Sequence, residues 1–280
     1  MPEIPDLEAI RDFFNDHLSG KTIATVETRI PVIFRTPTKE LRETLPGDHI
    51  GKLIRHGKFL LFPLATDRVL AINPMLTGRF QFLPKSTRVL AKTCLVVSFE
   101  DGTHQLRYAD DRLMGKVYLV PASGLELIPN WATNGPDLLD PALTEEAWLA
   151  GIKRYRGAIK NIITNAEFVQ GVGNAYSDEI LWEARINPYT VRTRLSDDDL
   201  RSIYRAAREV MAWATPLARE RMVKGDSLDY EERRDFLRVH RLGGKPCPRC
   251  GTTISEITAN QRITSFCRQC QPGGPSGVLG

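Results

Sequence analysis

The 280-residue sequence predicts an α+β protein, with an N-terminal helix and β-sandwich domain followed by a helical domain and a zinc-ribbon hairpin. Three observations predict it. Short β-forming segments punctuated by Gly, Asp and Pro occupy residues 22–120, helical periodicity replaces them from residue 144, and two Cys-x2-Cys pairs close the chain. Hydrophobic residues at 42% and charged residues at 26% exclude a disordered chain. No apolar run approaches the ~18 residues of a membrane span. The first residues are acidic, with no basic-then-apolar leader, so the expected setting is intracellular, cytoplasmic or nucleoid-associated.

Residues 5–18 read as an amphipathic helix, with Leu7, Ile10, Phe13, Phe14 and Leu18 at helical spacing and Gly20 as its stop. Strands are predicted at Thr22–Ile30, Ile50–Ile54, Phe59–Pro63, Val69–Asn73, Leu95–Phe99, His104–Tyr108 and Val117–Val120. Cys94 sits in apolar alternation and reads as a small buried hydrophobe. The Pro- and Gly-rich stretch Pro121–Pro141 reads as a connection. Beyond it Glu145 and Glu146 suit a first helical turn, and further helices are predicted at 157–165, 175–183, 196–210 and 211–224, with Ser196 as an N-cap. The domain plan is therefore a sandwich over 2–120, a linker over 121–143, a helical domain over 144–242, a ribbon over 243–272 and a disordered tail over 273–280.

Charge is uneven. Residues 1–150 carry 17 Lys/Arg against 19 Asp/Glu, whereas residues 151–280 carry 21 against 15, a net +6 that suits a polyanionic partner. Cys247-x2-Cys250 and Cys267-x2-Cys270, separated by 16 residues, match a four-thiolate zinc ribbon, with Pro248, Gly251 and Pro272 supplying turns. Two disulfides are the competing reading, disfavoured without a secretory leader. Four thiolates leave no open coordination position, so one zinc would be structural. A zinc hydrolase is excluded, because His17, His49, His56, His104 and His240 are scattered singly and each reads as structural.

Two further features bear on chemistry. Proline at position 2 permits removal of Met1, which would leave Pro2 with a free secondary amine. Such an amine titrates near ~7.7–8.0, and its attack on an aldehyde gives a cationic iminium that serves as an electron sink. Glu3 is placed to exchange protons beside it. By itself, proline there is ordinarily a helix-entry residue. The second feature is Gly171-Val172-Gly173-Asn174 before a helix, where backbone N–H groups can face phosphate; such turns also simply join helices.

Pro2-Glu3-Ile4-Pro5-Asp6, Gly57-Lys58-Phe59-Leu60-Leu61, the Gly171–Glu179 segment and the four-cysteine ribbon occur in this order across residues 2–272. Together they resemble the formamidopyrimidine-DNA glycosylase / endonuclease VIII family of base-excision repair enzymes. The resemblance implies a bifunctional DNA glycosylase and abasic-site lyase acting as a monomer on double-stranded DNA that contains damaged bases or abasic sites. Pro2 would attack C1′, release the base and drive β,δ-elimination, with Glu3 as proton donor at the sugar and Lys58 on a phosphate near the lesion. Gly173 and Asn174 would belong to a helix-two-turn-helix that holds the damaged nucleotide's backbone. Lys160 would lie near the flipped base, and Arg262 would grip phosphates from the hairpin tip.

Flipping the nucleotide leaves a gap that three side chains fill in this family. Here Leu76 takes the position usually held by methionine, with Met75 one residue earlier; Arg112 is kept, and Met114 stands where phenylalanine is common. Core packing is the alternative for Leu76 and Met114. A second departure is the segment Gly225–Arg238, short and charged where purine-specialised members carry a long loop, which favours oxidised pyrimidines over purines or a broad range. The alternative function is a non-catalytic zinc-ribbon DNA-binding protein of the same fold, in which a retained Met1 blocks Pro2.

Overall fold

Helix α1 (Ile4–Leu18) forms where the apolar spacing placed it, but it is buried on nearly every side. Ile4, Leu7, Ile10, Phe13, Phe14 and Leu18 have no exposed surface, and full burial of such side chains contributes about 1.5–3 kcal/mol each. Its N-terminus is closed by Asp6, whose carboxylate accepts the Glu3 backbone N–H at 2.9 Å and suits the positive end of the helix dipole. The computed structural model describes residues 1–273, so the tail expected from 273 lies almost wholly outside the described residues.

The helix is followed by β1 (Ile23–Thr28), a short helix α2 (Thr38–Thr44), β2 (Ile54–His56), β3 (Phe59–Pro63), β4 (Arg68–Asn73), β5 (Gly78–Pro84), β6 (Thr93–Phe99), β7 (His104–Asp110) and β8 (Lys116–Pro121). Then come α3 (Glu145–Ile152), α4 (Ile159–Ile163), α5 (Asn174–Glu183), α6 (Asp197–Met222), β9 (Val223–Lys224), β10 (Ser227–Asp229) and the hairpin β11 (Ser255–Ala259) and β12 (Arg262–Phe266). Two antiparallel sheets form the N-terminal sandwich, one of order β1-β6-β7-β5-β10-β9 and one of order β2-β3-β4-β8. Cys94 is fully buried in β6, and that burial pushes its thiol up to about 11.

The chain divides into two compact units, Met1–Ala132 with Thr215–Arg233, and Thr133–Ala214 with the residues from Arg234 on. Neither unit is continuous in sequence. The hairpin β9–β10 returns to the first unit and extends its six-stranded sheet, with Leu228 paired to Phe82 and Asp229 to Gln81. The alternation in Arg79–Leu83 is the local signal for its partner β5, a strand absent from those predicted. The expected connection is also more structured than its Pro and Gly content implies. Ile128 is 1% exposed and packs with Leu61, Val69, Ala71, Tyr118 and Val120.

The helices expected at 196–210 and 211–224 are one continuous α6, because Leu200, Ile203, Ala207, Val210, Met211, Ala214, Ala218 and Met222 stay buried at helical spacing across the join and past Pro216. Ser196 caps it as expected, its hydroxyl accepting the Asp199 N–H at 3.1 Å.

One ion pair ties α1 to the β2–β3 turn. Arg55 Nε donates to Glu8 at 2.5 Å and its guanidinium to the Gly57 carbonyl at 2.9 Å, with the two side chains 3% and 12% exposed. Arg55→Ala removes the cation from a largely buried carboxylate that keeps only Arg11. A loss of about 3 kcal/mol in the first unit's stability is expected, read as an earlier transition in urea unfolding.

Candidate active site and nucleic-acid interface

In the first unit the chemistry gathers at the start of α1. Pro2 and Glu3 are buried, fixed by the helix that follows them. Gly57 has φ +56°, and the turn it permits, held by Arg55, sends Lys58 back toward the chain start. Lys58 Nζ lies 4.0 Å from Met1 Sδ, so the predicted lysine is brought to the predicted nucleophile's immediate neighbour. The Met1 amine is ion-paired with Glu232. Sequence reasoning missed Glu232; its only signal was the charge density of the segment it sits in.

Leu76 and Met114 are 38% and 39% exposed, so neither is a core side chain. They occupy neighbouring loops, Pro74–Thr77 and Asp111–Gly115, and Arg112 is exposed on the second.

In the second unit α5 presents Asp178 and Glu179 inward, both 1% exposed. Asp178 accepts from Lys160 Nζ at 2.5 Å and from the Ser265 N–H at 3.0 Å, and lies 2.7 Å from His240 Nδ1. Lys160 also donates to the Ile263 carbonyl at 3.2 Å and to the Thr264 hydroxyl at 3.0 Å. With a side chain only 10% exposed, Lys160 ties α4 and α5 to the hairpin. Asn174 does the same from the helix start, donating to the Ile263 carbonyl at 2.8 Å. Gly173 is the extended N-cap of α5. The helix start and hairpin are thus one assembly, with Arg262 exposed at the tip beside the two-residue turn Asn260–Gln261, whose φ values of +50° and +61° suit a type I′ hairpin.

Glu179 accepts the backbone N–H groups of Arg238, Val239 and His240 at 2.8–2.9 Å. Burial raises its pKa above the ordinary 4.5, against the pull of those three donors. The buried acids were legible only as part of a quoted motif, because an acidic pair in a helix ordinarily faces solvent.

The four cysteine sulfurs lie within 4.8 Å of one another, with Cys250–Cys267 at 3.5 Å and Cys247–Cys270 at 3.9 Å. Tetrahedral sulfur ligands at ~2.3 Å from one zinc stand about 3.8 Å apart, so the donor set fits a single structural ion. The knuckles are closed by Gly251 N–H to the Cys247 carbonyl at 2.8 Å and Gln271 N–H to the Cys267 carbonyl at 2.9 Å. Trp182 Nε1 donates to Cys247 Sγ at 3.4 Å and orients that ligand.

Two outcomes follow for the second unit. Cys250→Ser should lose zinc, by atomic absorption, and make the β11–β12 hairpin protease-sensitive while the first unit's melting is unchanged. For Glu179 the folded pKa is raised, so its contribution is full below about pH 4.5 and is lost as pH rises through the raised value. The stability difference between wild type and Glu179→Gln should therefore shrink as pH rises above that point, and a pH-independent difference would remove this assignment.

Comparison with known proteins places this geometry. Residues 1–117 match the family model described as formamidopyrimidine-DNA glycosylase N-terminal domain, residues 134–222 the formamidopyrimidine-DNA glycosylase H2TH domain, and residues 244–273 the zinc finger found in FPG and IleRS. A formamidopyrimidine-DNA glycosylase of Listeria innocua is 34% identical, covering 97% of this chain and 100% of that protein. One from Pelotomaculum thermopropionicum is 32% identical over 97% and 99%. The solved structure of Lactococcus lactis Fpg in complex with DNA containing an abasic site superposes with a TM-score of 0.87 at 25% identity, covering 97% of this chain and 100% of that one. With a buried Pro2-Glu3 start, an H2TH domain and a four-cysteine finger in one chain, this protein belongs to the formamidopyrimidine-DNA glycosylase family.

Proposed function

We propose that the chain is a base-excision DNA repair enzyme that uses Pro2 as nucleophile. The observation that carries this reading is the burial of α1, which fixes the buried Pro2 and Glu3 at its start, while the Lys58 ammonium lies 4.0 Å from the sulfur of the preceding Met1. Removal of Met1 transfers the terminal amine to Pro2. The Pro2 nitrogen then adds to C1′ of the damaged nucleotide as the base departs with a proton, and Glu3 supplies the proton at the sugar. The resulting iminium acidifies C2′, so the 3′ and then the 5′ phosphate leave by successive eliminations, and hydrolysis of the remaining adduct frees the amine. Lys58, Asn174 and Arg262 bind phosphates, with Gly173 shaping the helix start and Lys160 holding the hairpin near the extruded base. Leu76, Arg112 and Met114 fill the gap left in the stack. Four thiolates hold one structural zinc that shapes the hairpin.

The lesion range is broad, with oxidised pyrimidines ahead of oxidised purines. The relatives' names point toward formamidopyrimidines, but in this chain residues 223–229 form a hairpin on the sheet edge, leaving a short charged run in place of a long loop. The protein works as a monomer on duplex DNA, in an intracellular, nucleoid-associated setting. Among the described residues, no helix is long and apolar enough to cross a membrane.

The test is borohydride trapping on an abasic-site duplex, with intact mass recorded on the same protein. A covalent adduct mapping to Pro2 on chains lacking Met1 is expected. No adduct on such chains would favour the non-catalytic DNA-binding reading. Pro2→Gly keeps a free amine but loses ring constraint and should lose most activity. Glu3→Gln should suppress base release by roughly 100-fold or more while sparing cleavage of a preformed abasic site, and equal loss of both would remove the role given to Glu3.

A further inference from the structure

Two loops cross between the sheets of the sandwich side by side. The chain leaves β4 of the four-stranded sheet through Pro74–Thr77 to enter β5, and leaves β7 through Asp111–Gly115 to enter β8. Pairing of Gly78 with Asp110 and of Asn73 with Lys116 fixes the two crossings as neighbours. They carry Leu76, Arg112 and Met114.

A single fully buried side chain fastens both loops. Asp110 Oδ1 accepts hydrogen bonds from the Thr77 hydroxyl and from the Arg112 N–H, the latter at 3.2 Å, and Oδ2 accepts the Gly115 N–H at 2.6 Å. The Thr77 oxygen itself accepts from the Arg112 N–H at 3.0 Å, so one loop is bonded directly to the other. Each loop also carries a non-glycine residue in the left-handed region, Met75 at φ +50° and Leu113 at φ +55°, conformations that persist only where their surroundings impose them. The ends of both crossings run tight against buried Tyr108, since a Cβ on Gly78 or Gly115 would stand 2.3 Å or 2.1 Å from its hydroxyl.

We propose that Asp110 is a positioning residue that locks the two loops into one rigid wedge, so that insertion of Leu76, Arg112 and Met114 into the base stack is a single event. This rests on reading those three side chains as the gap-filling set. A carboxylate suits the task because donors approach both of its oxygens. Asparagine offers one accepting oxygen and turns an N–H group toward one of the two loops. Flipping requires the wedge to arrive already formed, because a loose wedge spends binding free energy on its own ordering.

The test compares single-turnover excision of one lesion in a fully paired duplex with excision of the same lesion in a single-nucleotide bulge, where stacking is already broken. The proteins are wild type, Asp110→Asn, Thr77→Val and the Leu76→Ala/Met114→Ala double variant, each with zinc content and melting recorded. Asp110→Asn and Thr77→Val should slow duplex excision by roughly 10-fold or more while changing bulge excision by less than about 3-fold, as expected for misplacement that affects only the flipping step. Equal loss on both substrates would reduce Asp110 to a fold-maintaining residue and overturn the proposal. Should Asp110→Asn fail to fold, Thr77→Val decides by the same ratio. If the double variant shifts the ratio and the two clip variants do not, the clip is wrong and the wedge stands. If the double variant leaves the ratio unchanged, the wedge reading itself fails.

Discussion

The constraint on which the catalytic end depends is the burial of the first helix. Chain termini are ordinarily the loosest part of a domain. Here six large apolar side chains of α1 have no exposed surface, so the residues immediately before it inherit the rigidity of the core. That matters for an amine nucleophile, because near-attack geometry fails with displacements of about 1 Å. The Glu8–Arg55–Gly57 chain of contacts extends the same rigidity to Lys58. The site is therefore held by apolar packing behind it and by one largely buried ion pair beside it.

The second unit solves a different problem, presenting cations to a polyanion without leaving its own acids uncompensated. Asp178 and Glu179 would be costly in the interior if unpaired. Asp178 is met by Lys160, His240 and the Ser265 N–H, and Glu179 by three consecutive backbone N–H groups, so both acids serve as internal acceptors that draw separate segments onto α5. The cysteine site and this polar core hold the same hairpin at its base and near its tip. The four thiolates would hold zinc at the base, while Lys160 and Asn174 hold the Ile263 carbonyl next to Arg262.

Much of this was legible in the sequence because the signals were local. The α1 periodicity, the strands at Phe59–Pro63 and Val69–Asn73, the Ser196 cap and the Cys-x2-Cys pairs each depend on a few neighbouring residues. What was not legible depends on long-range pairing. Nothing near Ser227–Asp229 announces that it will extend a sheet whose partner strand lies about 150 positions earlier. The join within α6 carries no local mark, because Pro216 just beyond it is a residue that ordinarily interrupts a helix. Lys160 and His240 were readable as residue types but not as partners of Asp178, since a buried acid in a motif carries no mark of its burial. Leu76 and Met114 were ambiguous because apolar residues on turns belong either to a core or to a contact surface, and only their exposure of over a third separates the two.

The departures from the family pattern share a physical logic. A wedge built from leucine and methionine gives up the flat aromatic face that phenylalanine would stack against a base, leaving less stacking energy to hold the opened helix. On the proposed reading such a wedge would gain from rigidity what it loses in contact, and the buried Asp110, bonded to both loops, would supply that rigidity. The short 225–238 segment works in the same direction. With residues 223–229 committed to a sheet-edge hairpin, there is less chain to close over an extruded base, and on the proposed reading selection would shift from wrapping the lesion toward the cost of extruding it. Discrimination by ease of extrusion favours lesions that stack weakly, and oxidised pyrimidines that have lost ring planarity stack less well than intact-ring purines.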